Sequence, residues 1–348
     1  VIGPDADAPR MLLGNYNGEP ADPITPLRGI REALPGARVI YARGADLAEG
    51  FSGVEGAPGS VPAASDSQSA LALQTTAVQA AEQADAVVLF LGLTANLEGE
   101  EMRVDVPGFR GGDRTNIDLP APQKELLERI VKVGKPTVLV LLSGSALAVT
   151  WAQQHVNAIV EAWYPGQAAG SAIADVLFGD YNPAGRLPVT FYRSTADLPP
   201  FDDYAMASRT YRFFTGKPLY AFGYGLSYTT FSYSHLTTSA RTLSGSDSIT
   251  VSVDVKNAGK VRGDEVAQLY VRHEKSRVPR PRLDLRGYRR ITLDPGQSRR
   301  VNFTLRGASL AYWDSTAQRW TVDRDRVRLQ VGGSSDADRA HTTISVVP

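Results

Sequence analysis

Ala86-Val87-Val88-Leu89-Phe90-Leu91, and later Pro136-Thr137-Val138-Leu139-Val140-Leu141-Leu142, are the two stretches whose reading decides how this sequence folds. Both are apolar, bounded by turn or polar residues, and far too short to span a bilayer, so they read as buried strands. Between them, Pro120 to Val133 sets Leu126, Leu127, Ile130 and Val131 on one helical face, and Gly134 with Pro136 stops the helix. Upstream, Ala37 to Tyr41 reads as a strand and Gly44 to Ser67, rich in Gly, Ala, Ser and Pro, as a loop. Ala70, Leu73, Ala77, Ala80, Ala81 and Ala84 then follow helical spacing, with Asp66 or Ser67 as N-cap. Downstream come a strand, Ala158 to Ala162, and a helix, Gln167 to Phe178, ended by Gly179. Strands alternating with helices of this length predict a largely parallel sheet with helices on both faces.

Val1-Ile2-Gly3-Pro4 reads as the end of one more buried strand running into a turn. A strand with no polar lead-in suggests a chain trimmed or processed at its start, any signal peptide lying upstream. Between Asp180 and Phe231 the pattern dissolves into Pro, Gly and aromatics, which reads as an ordered connector, because so many rings would not stay in water. From Ile249 the period becomes two. Ile249, Val251, Val253 and Val255 alternate with polar residues, as do Val301, Phe303 and Leu305, then Val327, Leu329 and Val331. Asn257-Ala258-Gly259 and Asp294-Pro295-Gly296 mark turns. Short strands at this density predict an antiparallel sandwich of the fibronectin type III kind. The expected division is an α/β sandwich over 1–190, an aromatic-rich connector over 191–240 and the all-β sandwich over 241–348.

The bulk composition excludes several classes of function. Lys plus Arg equals Asp plus Glu at 37 each, which gives no electrostatic reason for a nucleic-acid or anionic-membrane partner. There is no cysteine, hence no disulfide, thiolate metal site or Cys nucleophile. His155, His235, His273 and His341 form no metal-binding spacing, and no cofactor motif is present. Ser143 and Ser145 lack the Gly-x-Ser-x-Gly elbow of a hydrolase triad. Trp163 and Tyr164 read as core packing, and Tyr211-Arg212-Phe213 as sealing between domains in preference to the border of a sugar site.

The chemistry concentrates after the first strand. Glu98, Glu100 and Glu101 are three carboxylates within four residues, in a loop beyond a strand's carboxyl end, where α/β sheets gather binding residues. Crowded carboxylates repel, and a carboxyl kept protonated near neutral pH is what general-acid catalysis requires. The plainer alternative is a solvated acidic loop paired with Arg103, Arg110 or Arg114.

The segment from Glu98 to Asp118 is similar to the loop that supplies the catalytic acid/base in glycoside hydrolase family 3. The resemblance extends over nearly the whole chain: Val1-Ile2-Gly3-Pro4 with Leu13-Gly14-Asn15-Tyr16, Trp163-Tyr164-Pro165-Gly166-Gln167, Leu177 to Pro188, and Phe222 to Tyr228, in that order. In the family a Glu is closely followed by an Asp-Arg pair. Here Val104 to Gly112 intervene before Asp113-Arg114, which leaves the register open. The second Glu of Glu-x-Glu matches the acid/base position of xylosidase-like relatives, so the resemblance ranks Glu100 first as general acid/base, Glu98 second and Glu101 third. Asp113 and Arg114 are expected to form a structural ion pair. The resemblance implies a retaining exo-β-glycosidase, β-glucosidase or β-xylosidase, acting on a β-linked oligosaccharide or aryl glycoside. It implies a nucleophilic Asp from an N-terminal (β/α)8 barrel, in the same precursor or a separate chain. No Ser-Asp-Trp-like motif occurs here; Tyr312-Trp313-Asp314 and Val149-Thr150-Trp151 have the wrong order. The chain alone is thus expected to be inactive or weakly active. No cofactor is implied, and export to the periplasm or the medium is the family expectation. A non-catalytic carbohydrate-associated or scaffolding module is the alternative.

Overall fold

The computed structural model describes residues 1–52 and 67–348, so most of the expected loop from Gly44 to Ser67, and the N-cap choice of Asp66, lie outside the described residues. Two compact units are formed. One comprises Val1–Tyr181 with Tyr192–Thr195, the other Asn182–Phe191 with Ala196–Pro348.

In the first unit the order is α1 (Pro26–Ala33), α2 (Ser67–Glu82), β1 (Val87–Gly92), then three two-residue strands, β2 (Asp105–Val106), β3 (Phe109–Arg110) and β4 (Asp113–Arg114). α3 (Ala121–Lys132), β5 (Thr137–Leu142), α4 (Ala152–His155), β6 (Ala158–Glu161) and α5 (Ala169–Phe178) follow. β1, β5 and β6 pair in parallel, as their continuous apolar reading predicts, and β5 is central. Ile2 extends this sheet through parallel bridges to Leu89 and Ala42. The expected strand Ala37–Tyr41 is not formed as such. The segment lies beside the first residues, with Val1 N donating to the Ile40 carbonyl and Ala42 N to the Val1 carbonyl, but among the described residues Ala42 alone makes a ladder bridge there.

One face of the sheet packs Phe90, Val140 and Leu142 on Ile30 of α1 and Ala169 and Ile173 of α5. The two helices touch through glycine: a Cβ on Gly29 would lie 2.1 Å from the Gly170 carbonyl carbon. On the other face Leu89, Leu91, Leu139 and Leu141 are buried, as are Leu126, Leu127 and Ile130 of α3. α3 ends at Gly134 and α5 at Gly179, both with positive φ, as the sequence suggests.

The second unit begins with the single-turn α6 (Thr210–Phe213) and continues with β7 (Phe231–Thr238), β8 (Thr242–Ser244), β9 (Ser248–Asn257), β10 (Gly263–His273), β11 (Asp284–Leu293) and β12 (Ser298–Arg306). The hairpin β13 (Tyr312–Asp314) and β14 (Arg319–Thr321) precedes β15 (Asp325–Gly332) and β16 (Ala340–Val347). A sheet in the order β11-β10-β15-β16-β8 faces another, β12-β9-β7. The alternating residues read from the sequence, Val251, Val253, Val255, Val301, Phe303, Leu305, Val327, Leu329 and Val331, form the shared core. This is the expected fibronectin-like sandwich. β7 lies within residues 191–240 and pairs with β9, its register broken between Ser234 and Thr237. Of the aromatics before it, Phe191 and Phe214 are buried and Tyr211 stacks on Phe222 at 4.4 Å, whereas Phe201 and Tyr204 stand in solvent, so the packing expected of the connector holds for part of its rings.

Candidate active site at the carboxyl edge of the parallel sheet

β1 ends at Gly92, and only glycine fits there: φ is 152° and a Cβ would lie 1.8 Å from the Leu142 carbonyl oxygen of β5. The fully buried side chain of Gln123, from α3, accepts from Gly92 N and donates to the Gly92 and Leu47 carbonyls at 2.6–2.7 Å. The strand end is thereby fixed to a helix, and the next residues inherit a defined starting point. Buried Leu93 and Leu97 anchor a turn in which Glu98 N donates to the Thr94 carbonyl, bringing three carboxylates to the edge of the sheet.

The three have different surroundings. Glu98 is half-buried and engaged on both oxygens: Oε1 accepts from Gly144 N and from the Tyr164 hydroxyl, each at 2.5 Å, and Oε2 accepts from the Ser145 hydroxyl. Glu100 is exposed and accepts one hydrogen bond, 2.8 Å, from the Tyr16 hydroxyl, which this contact makes harder to ionise. Glu101 is exposed, with its backbone in the left-handed region at φ 47°.

Arg114 closes the far end of the loop. Its guanidinium donates to the Ser145 hydroxyl (3.0 Å) and to the carbonyls of Ala146 (3.1 Å) and Asp118 (3.0 Å). The expected ion pair with Asp113 is not what holds it; Asp113 is exposed, and adjacent residues of a strand point to opposite sides. The attraction of Glu98 acts on Arg114 against the cost of burial, the larger influence, which lowers its pKa. Between the two ends, residues 105–114 form the small antiparallel sheet β2-β3-β4, its base closed by Met102 N to the Gly111 carbonyl and Gly111 N to the Val104 carbonyl. Gly112, with φ 91°, lies so near Gly99 that a Cβ would meet its carbonyl oxygen at 2.0 Å.

Behind the loop are two carboxyls that sequence reasoning missed. Glu161, at the end of β6, accepts from Trp163 N at 3.1 Å, while its other oxygen is sealed from solvent and, among the described residues, has no hydrogen-bond partner. Burial, assisted by the negative charge of Glu98, pushes its pKa up to about 8. Asp5 is wholly buried, and burial raises its pKa well above its ordinary value. Tyr164, read from the sequence as packing, instead donates to Glu98. Nothing in its local pattern marks that role, because its partner is distant in sequence.

Residues 1–228 match the glycosyl hydrolase family 3 C-terminal domain, and residues 265–335 a fibronectin type III-like domain. A periplasmic beta-glucosidase of Salmonella typhimurium is 38% identical over 90% of this chain and 42% of its own length. A beta-xylosidase of Formosa agariphila is 36% identical over 98% of this chain and 45% of its own. Among solved structures, a β-glucosidase from Erythrobacter marinus superposes with a TM-score of 0.85 at 31% identity, covering 99% of this chain and 46% of that one. The chain belongs to glycosyl hydrolase family 3, carrying its C-terminal domain followed by a fibronectin-like domain. It spans less than half the length of these relatives.

Proposed function

We propose that this chain supplies the proton-donating part of a retaining exo-β-glycosidase, a β-glucosidase or β-xylosidase that removes terminal non-reducing residues. Glu100 is the general acid/base, with Glu98 the second candidate and Glu101 the third. The observation that carries this choice is the contrast within one loop: Glu98 has both oxygens engaged by protein donors, whereas Glu100 stands in solvent on a single hydrogen bond. A general acid must reach the leaving oxygen of a substrate, and a carboxylate fully occupied by internal donors is poorly placed to do so. Glu98, through Ser145 and Tyr164, is then a positioning residue that fixes the loop bearing Glu100.

In the retaining reaction a second carboxylate attacks the anomeric carbon as Glu100 donates its proton to the departing oxygen, the two groups lying roughly 5–5.5 Å apart. Glu100 then takes a proton from water as the glycosyl–enzyme ester is hydrolysed. The attacking Asp belongs to an N-terminal (β/α)8 barrel, and the protein works in the periplasm or outside the cell. Among the described residues no helix is long and apolar enough to cross a membrane.

The test joins the chain to a barrel and varies the leaving group. Glu100→Gln is expected to slow release of a poor leaving group such as an alkoxide by about 10²–10⁴-fold, and release of a dinitrophenolate, which needs no proton, far less. Equal loss on both substrates in Glu100→Gln, together with the selective pattern in Glu98→Gln, would transfer the role to Glu98. Sugar binding without hydrolysis in any combination would instead favour a non-catalytic carbohydrate module.

A further inference from the structure

Trp313 and Trp320 are opposite one another across the β13–β14 hairpin, ring centroids 5.9 Å apart and planes at 74°. They are 49% and 69% exposed. Large rings left in water mark a surface with something to bind more often than a scatter of small apolar residues does. The hairpin that carries them is firmly held. Tyr312, whose side chain alternates with that of Trp313, donates to Asp323 at 2.8 Å, and Arg277 grips the same carboxylate with two bonds of 2.6 and 3.0 Å. Arg280 covers the Tyr312 ring at 4.7 Å. The indoles therefore sit on a fixed platform.

Trp320 lines an open cleft of about 1080 Å³, slightly above the usual range of small-ligand sites (roughly 300–1,000 Å³) and so with room for more than one sugar ring. Asp284 lies in the lining with its two oxygens occupied by Arg212 (3.4 Å) and Arg286. Arg319, exposed, joins them. The lining thus holds three arginines and one aspartate beside the Trp320 ring, with the last residue, Pro348, at its edge. Arg212 and Arg286 are paired with Asp284, and Arg319 has no carboxylate partner among the described residues.

We propose that this cleft binds an oligosaccharide bearing a carboxylate, of the uronate type. A pyranose C–H face stacks on the Trp320 indole while its carboxylate takes paired hydrogen bonds from guanidinium, a geometry that arginine supplies and lysine does not. The preference for a sugar over another flat anion rests on the glycosidase reading; the cleft itself is independent of Glu100.

The test is calorimetric titration of the chain with a xylo-oligosaccharide carrying a glucuronic acid branch, with the unbranched neutral oligosaccharide, and with adenosine monophosphate. The Glu100→Gln form serves as host, so that binding is read apart from hydrolysis. Expected is saturable binding of the branched acid, weakened at least about tenfold in Trp320→Ala and in Arg319→Ala, with the neutral sugar and the nucleotide weaker by a similar factor. Both variants alter exposed side chains, and an unchanged melting temperature verifies their fold. No heat at millimolar ligand, unchanged affinity in either variant, or equal affinity for the neutral sugar or the nucleotide overturns the proposal. Hydrolysis is read separately in the barrel-joined enzyme: its loss in Glu100→Gln with no saccharide binding at the cleft would refute this inference alone, and binding at the cleft with hydrolysis untouched would refute only the role of Glu100.

Discussion

Glu98 and Arg114 are joined through a single oxygen atom: the Ser145 hydroxyl donates to the first and accepts from the second at 3.0 Å. The two residues stand at opposite ends of the acidic loop, so one hydroxyl on the segment after β5 gathers both. Replacing Ser145 by Ala leaves a carboxylate oxygen and a guanidinium each short of a partner. The expected cost is about 1–3 kcal/mol, read as a lowered melting temperature. If the loop positions Glu100, kcat falls in the barrel-joined enzyme while the limb of the pH profile due to the general acid keeps its midpoint. A shift of that midpoint would instead assign the titration to Glu98.

Glu161 makes stability depend on pH in an unusual direction for an acid. Its folded pKa of about 8 lies above the ordinary 4.5, so the folded chain keeps a proton that the unfolded chain has released. The favourable contribution is complete below 4.5 and is lost as pH rises through about 8, at up to about 1.4 kcal/mol per pH unit. Glu161→Gln, permanently neutral, is expected to abolish this slope. Denaturant titrations at pH 5 and pH 8 check it, and a variant that loses stability between the two as steeply as the parent refutes it.

His273 has the opposite behaviour. Its Nδ1 lies 2.6 Å from an Asp325 oxygen, an ion pair by geometry, yet burial, with Arg280 and Arg286 nearby, outweighs the carboxylate and lowers its pKa. The contact is therefore a neutral imidazole donating to a carboxylate. Because the unfolded histidine takes up its proton first, stability conferred by this site is present above the ordinary value of 6.5 and declines as pH falls below it. Proton-detected titration of the imidazole should place its midpoint below that value; a higher midpoint overturns the assignment.

Gly92→Ala should be among the most damaging substitutions in the first unit. The added methyl meets a backbone carbonyl at 1.8 Å and the backbone keeps a φ that side chains avoid, so neither a rotamer change nor a small shift relieves it. A loss above about 3 kcal/mol, or no soluble product, is expected. A normal melting temperature would mean that β1 and β5 separate more easily than their register implies.

The strands β1 and β5 were legible because both are apolar along their whole length, and the sandwich strands because valine and leucine alternate with polar residues. α1 was not anticipated. Its first residue is Pro26, and Gly29, a poor helix former, serves close approach to Gly170, a requirement set by the partner helix. β2, β3 and β4 are two residues each, too short to show any period. At the candidate site the cluster of acids was visible as local composition, but the distinction between Glu98 and Glu100 was not. It depends on Ser145 and Tyr164, brought in from the ends of other strands, and long-range convergence of that kind leaves no trace in spacing.

The closed base of the small β2-β3-β4 sheet has an evolutionary consequence. Met102, Val104 and Gly111 close its stem, and Thr115 N bonds the Gly108 carbonyl at its tip, so changes of length are best tolerated at the Pro107 turn, away from the stem that carries Glu100. The protein thereby gains a place where length can drift, and new contacts can be tried beside the acidic loop, while the chemistry behind it stays in register.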